Sequence, residues 1–124
     1  MANSLVQKLQ QMLAGYLNAA LGTDLDDKPL LTIARITNDS KAKAEHECDR
    51  FLMDNFNDLE GITSKGNDWG QVGQDLWLSR NGHGSGFFDR KEIYGEVEAK
   101  RLQDAAKKMG ERHLSAWRGW CYID

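Results

Sequence analysis

Leu5, Leu9, Met12, Leu13, Tyr16, Leu17 and Ala20 recur three and four positions apart, the repeat of one face of an α-helix. Such a stripe has no stable solution alone in water. Other elements must cover it, because packing of the apolar face supplies most of a helix's stability. The spacing predicts a helix from Asn3 to Leu21, with Asn3 or Ser4 as its cap and Gly22 at its stop. The 124 residues are enough for one domain, 1–124, with a real core around that stripe.

Beyond it, Thr23 to Lys28 is polar and acidic, and Pro29 forbids a helix interior. Leu30, Leu31, Ile33 and Ile36 then fit either a short strand or an irregular segment pinned to the core. A second helix is expected over 40–59, after the capping candidates Asn38 and Asp39. Its buried stripe would be Ala44, Cys48, Phe51, Leu52, Asn55 and Leu59, with charged residues on the other face. Gly61 to Gly73 reads as a loop, in which Trp69 either plugs the core edge or faces a partner.

Asp75 to Arg80 has strand composition and Phe87 to Arg90 resumes it, while Asn81-Gly82 between them is a hairpin signal. A third helix is expected from Gly95 to Met109, ending at Gly110. A second hairpin should turn at Arg118-Gly119, between Leu114–Trp117 and Trp120–Ile123. The expected fold class is α+β in the order α-α-β-β-α-β-β, an antiparallel sheet of about four strands with helices packed on one face.

The net charge of −3 and pI near 5.6 speak against a general nucleic-acid binder, which needs a basic excess. Cys48 and Cys121 have no metal-like spacing and read as two buried, reduced thiols. The first residues lack a basic-then-apolar signal and no apolar run reaches membrane-span length, so a cytoplasmic protein is expected.

Chemistry is scarce. His83, with Ser79, Ser85 and Asp89 nearby, invites a triad reading, but a triad needs an oriented base and a nucleophile on a rigid turn. The glycines at 82, 84 and 86 do not match a dinucleotide or phosphate-loop spacing. His46 and Cys48 lie two apart on a helix and point to different faces. No enzyme activity, cofactor or metal is therefore expected. Arg101, Lys108 and Arg112 lie near one face of the third helix and could follow a nucleic-acid backbone, although acidic residues interrupt them. Four tryptophans, at 69, 77, 117 and 120, are generous for this length. An exposed one on a sheet would anchor a protein partner.

The run Asp75-Leu76-Trp77-Leu78-Ser79-Arg80-Asn81-Gly82-His83-Gly84-Ser85-Gly86-Phe87-Phe88-Asp89-Arg90 resembles a block in a family of small tailed-bacteriophage proteins of unknown function. The resemblance extends to Lys28-Pro29-Leu30, to the helix ending in Asn55 and to the helix over Leu102 to Met109, and so covers most of the chain. Phe88 stands where the family more often shows Trp, and Arg118-Gly119-Trp120 replaces a more acidic turn. The resemblance implies a phage origin and the host cytoplasm as location. The expectation is an accessory protein that binds and inhibits a host protein, an anti-CRISPR-like inhibitor of host defence being one form. Arg80, His83, Arg90, Trp69 and Trp120 are the expected contact residues. Nucleic-acid binding through Arg101, Lys108 and Arg112 is the alternative.

Overall fold

A computed structural model describes residues 4–61, 66–83 and 86–124. The first helix, α1 (Leu5–Asp24), opens on a capping box: Ser4 Oγ accepts the Gln7 N–H at 3.1 Å, and Gln7 Oε1 accepts the Ser4 N–H at 3.0 Å. Asn3 lies outside the described residues. The helix runs through Gly22 to Asp24 rather than stopping there. A 3-10 turn at Ile33–Arg35 follows, then α2 (Asn38–Asp54), capped by Thr37, and the single turn α3 (Phe56–Leu59). The one helix expected over 40–59 is therefore two, broken at Asn55, whose side-chain amide donates to the Phe51 carbonyl at 2.9 Å.

The expected four-stranded sheet is absent. Among the described residues the sheet is the two-stranded hairpin β1 (Leu114–Trp117) and β2 (Trp120–Ile123), and the rest is mainly helical. The misread segment is α4 (Trp69–Arg80), which takes in the end of the supposed loop and the whole first supposed strand. Asp68 caps it by accepting the Gln71 N–H at 2.8 Å. Asn81-Gly82 is no hairpin turn. Asn81 is the helix C-cap and Gly82 follows at φ +68°, the left-handed position in which glycine ends helices. Phe88–Arg90 is a 3-10 turn leading into α5 (Lys91–Tyr94). Gly84 and Ser85, the tip of the expected hairpin, lie outside the described residues. The third expected helix is α6 (Glu96–Lys108), followed by Gly110 at φ +81°.

The molecule is built around the contact of α1 with α4, its most extensive helix pair. A Cβ added to Gly15 would sit 1.8 Å from the Gly70 carbonyl oxygen, and one added to Gly73 would sit 1.8 Å from that of Met12. The two backbones therefore touch, and only hydrogen fits between them. Tyr16 and Trp77 meet edge to face beside this seam, with ring centroids 5.1 Å apart. The indole N–H of Trp77 donates to Thr23 Oγ1 at 2.9 Å. α2 covers α1, α6 covers α4, and Phe87 fills the space between Phe51 and Tyr94.

The hairpin docks on the helices through its outward backbone groups. The Leu114 N–H donates to Asp24 Oδ2 (2.8 Å), the Ile123 N–H to Ser40 Oγ (2.9 Å), and the Thr37 N–H to the Cys121 carbonyl (3.0 Å). Ile36 forms a parallel bridge with Cys121. Of residues 23–37, left open from sequence, 23 and 24 belong to α1 and the rest return the chain from α1 to the free side of β2.

Gly73→Ala is expected to destabilise by about 3 kcal/mol or more, since a backbone clash cannot relax without separating two helices. Gly22→Ala, with nothing within 4 Å of the added methyl, should be neutral or stabilise by up to ~1 kcal/mol. Urea unfolding of both variants checks the pair.

Candidate functional site

The hairpin turns at Arg118 (φ +51°) and Gly119 (φ +80°), the two positive φ values of a two-residue turn that matches strand twist. Its register pairs Trp117 with Trp120, Ser115 with Tyr122 and Leu114 with Ile123. Side chains alternate across a strand, so one register decides both faces. Leu114, Cys121 and Ile123 are buried against the helices. Ser115, Trp117, Trp120 and Tyr122 occupy the opposite face, the three aromatics being 62, 41 and 38% exposed.

Two guanidinium groups lie over these rings. Arg118 is centred 4.4 Å from the Trp117 ring, and Arg35, from the 3-10 turn, 5.2 Å from Trp120. Each such contact is worth about 0.5–1 kcal/mol at an exposed site and keeps the cation beside the ring. A shallow cavity of about 400 Å³ adjoins the face between Trp120 and Tyr122 on one side and Ala34, Thr37, Asn38 and Lys41 on the other. The face therefore combines apolar area, stacked cations and a rigid backing.

Of the expected contact residues, Trp120 lies on this face and the others are elsewhere. Trp69 is buried as the first residue of α4, with the Lys8 ammonium 5.4 Å from its ring centroid. Arg80 is likewise buried and cannot meet a partner. Its Nη1 donates to Tyr16 Oη (3.0 Å) and to Glu47 Oε2, its Nε to the Gly110 carbonyl (2.7 Å) and its Nη2 to the Met109 carbonyl (2.9 Å). Burial pushes the Tyr16 hydroxyl well above its ordinary pKa, so it stays neutral within this cluster. Arg90 is half-buried, its Nε 3.1 Å from Asp75 Oδ1. His83 is exposed beyond the end of α4.

The helix stripe fares differently from its reading in sequence. Arg101 makes a two-pronged bond to Asp58, at 2.9 and 2.7 Å. Arg112 Nε lies 3.2 Å from Glu47 Oε1, and its Nη1 donates to the Asp124 carbonyl at 2.7 Å. Lys108 is exposed on the groove between α2 and α6. Ser79 is buried, donating to Gln103 Oε1 (2.7 Å) and accepting the Phe87 N–H (3.1 Å), which is a joint rather than a nucleophile. Both cysteines are free and buried, and burial raises the Cys48 thiol pKa. Among the described residues, no group of three or more His, Cys, Asp or Glu could hold a metal ion, and no helix is long and apolar enough to cross a membrane.

Trp117, Arg118 and Tyr122 were recoverable from the sequence. Once Arg118-Gly119 is taken as a two-residue turn, Trp117, Trp120 and Tyr122 must share a face. Arg35 had no such signal, because only tertiary packing brings it to Trp120. No protein-family model, no curated protein and no solved structure matches this chain.

Arg80→Met is expected to destabilise by about 3 kcal/mol, since it leaves Tyr16 Oη and the Met109 and Gly110 carbonyls without their donor and Glu47 with Arg112 as its remaining cation. Arg80→Lys should recover little of this, because an ammonium cannot reach all four acceptors. Chemical denaturation of both measures it.

Asp75, fully buried, accepts from Tyr94 Oη (2.6 Å), Gln71 Nε2 (3.1 Å) and Arg90 Nε. Burial outweighs these donors and raises its pKa from the ordinary aspartate value. A raised folded-state pKa means that the native state holds the proton more tightly than the unfolded chain. Asp75 thus costs stability at neutral pH, and the cost is relieved as the pH falls towards the unfolded value of about 4. The stability of the wild type minus that of Asp75→Asn should rise over that fall. Urea unfolding across the range at constant ionic strength checks the sign.

Proposed function

We propose that the chain is a non-enzymatic binding protein that occupies a surface on a host protein through the outer face of the β1–β2 hairpin. The observation that carries this reading is the exposure of Trp117, Trp120 and Tyr122 together, with Arg118 and Arg35 over two of the rings. Tryptophan, tyrosine and arginine are the residues that most often dominate binding energy at protein interfaces. Holding them on a hairpin tied to α1 and α2 lowers the ordering cost of association. A bacteriophage accessory protein that blocks a host factor, a defence effector such as a CRISPR nuclease among them, would need such a surface and no catalytic group.

Nucleic-acid binding through the helix stripe draws on less. Carboxylates occupy Arg101 and Arg112, and the chain carries a net charge of −3. Each phosphate contact needs a cation free to displace counterions.

Affinity capture from host lysate with the tagged chain, after nuclease treatment, tests the reading. One stoichiometric host protein should be retained. Its affinity should fall at least ~10-fold for Trp117→Ala/Trp120→Ala and stay unchanged for His83→Ala. Retention undiminished by the double variant would remove the hairpin from the interface, and loss of capture on nuclease treatment would favour nucleic acid.

A further inference from the structure

Resting on the reading just given, we infer that the partner segment seated on the hairpin face is acidic: a stretch of protein in which carboxylates alternate with apolar side chains. The chain as a whole is acidic, with 19 Asp and Glu against 16 Lys and Arg, yet this face departs from that balance. Arg118 and Arg35 lie over its two tryptophans, and Lys41 is the charged residue lining the adjoining cavity.

The nearby carboxylates are largely engaged. Asp24 accepts the Leu114 N–H and Asp124 accepts the His113 N–H at 3.0 Å. Asp39, in the first turn of α2, is the exposed acid closest in sequence to the cavity. Three cations, Arg35, Arg118 and Lys41, thus adjoin the rings on a chain that is negative overall. An acidic segment is drawn to this face and repelled by the others, which fixes orientation as well as attraction.

The chemistry of the groups agrees. A guanidinium already held against an indole keeps an N–H edge free to fork onto a carboxylate, with little side-chain freedom left to lose. The ring beside it takes an apolar neighbour on the same strand of the partner. Three cations are too few for a nucleic-acid backbone, since binding that rests on phosphates takes many such contacts. A protein segment needs only a few charges because apolar contact supplies the rest.

Fluorescently labelled peptides separate the cases: a short peptide alternating Glu with Phe and Leu, the same peptide with Lys for Glu, and an oligo-dT strand. Anisotropy titrations against the full chain should show the Glu peptide binding at least ~10-fold more tightly than the Lys peptide, with affinity falling as salt is added. Arg35→Glu/Lys41→Glu leaves the Arg118-Gly119 turn untouched and should reverse that preference, an outcome that mere loss of folding cannot produce. Equal binding of both peptides, no binding of either, an unreversed preference, or tighter binding of oligo-dT would overturn the inference. If Trp117→Ala/Trp120→Ala abolishes host-protein capture while the charge variant leaves it intact, the binding face stands and the acidic partner fails.

Discussion

A single buried guanidinium ties α1, α2, α4 and the end of α6 together at one point. Arg80 closes α4 and reaches Tyr16 of α1, Glu47 of α2 and the two carbonyls, Met109 and Gly110, that follow α6. Those carbonyls lack partners within their own helix, as at every helix end. A buried charge is tolerated when it is paired and hydrogen-bonded, and four acceptors, from α1, α2 and the residues that follow α6, engage four of the five guanidinium N–H groups. The arrangement also holds the end of α6, where Gly110 turns the chain towards the hairpin at φ +81°. The Arg112 N–H, bonded to Asn81 Oδ1 at 2.9 Å, repeats the same tie one step further on.

This constraint works with the glycine seam. Gly15, Gly70 and Gly73 bring the α1 and α4 backbones into contact, so α4 is enclosed on nearly every side. Its polar residues Asp75, Ser79 and Arg80 then face partners rather than water. The helices form a stiff base, and the hairpin rests on it through Asp24, Thr37 and Ser40. A two-stranded sheet alone is marginal in water. Held by those side chains and by Leu114, Cys121 and Ile123 beneath, it can leave three large aromatics in solvent without collapsing onto them.

The legibility of the chain follows from the same physics. α1, α2 and α6 each have one wet and one dry face, so their periodicity shows, and the Arg118-Gly119 turn announces itself by composition. α4 has no wet face wide enough to set a period. It also carries glycines that lower helix propensity yet are required for contact. Leu76-Trp77-Leu78 followed by Asn-Gly has the composition of a strand and turn, and tertiary enclosure overrode it. Taking Asp75 to Arg80 for a strand puts Arg80 on a hairpin surface, and taking Gly61 to Gly73 for a loop leaves Trp69 between the core edge and a partner, whereas α4 buries both. Trp120 kept its place because its hairpin was read correctly. Arg35 belonged to a connection that no periodicity describes.

In the function proposed above, the helices position and the hairpin binds. Hydrogen–deuterium exchange of the chain, alone and saturated with its captured host protein, tests that division directly. New protection is expected over 115–122 and 33–38, with exchange in α4 already slow and unchanged by the partner. Protection confined to the groove between α2 and α6, or to the helix stripe around Arg101 and Lys108, with the hairpin unaffected, would contradict it.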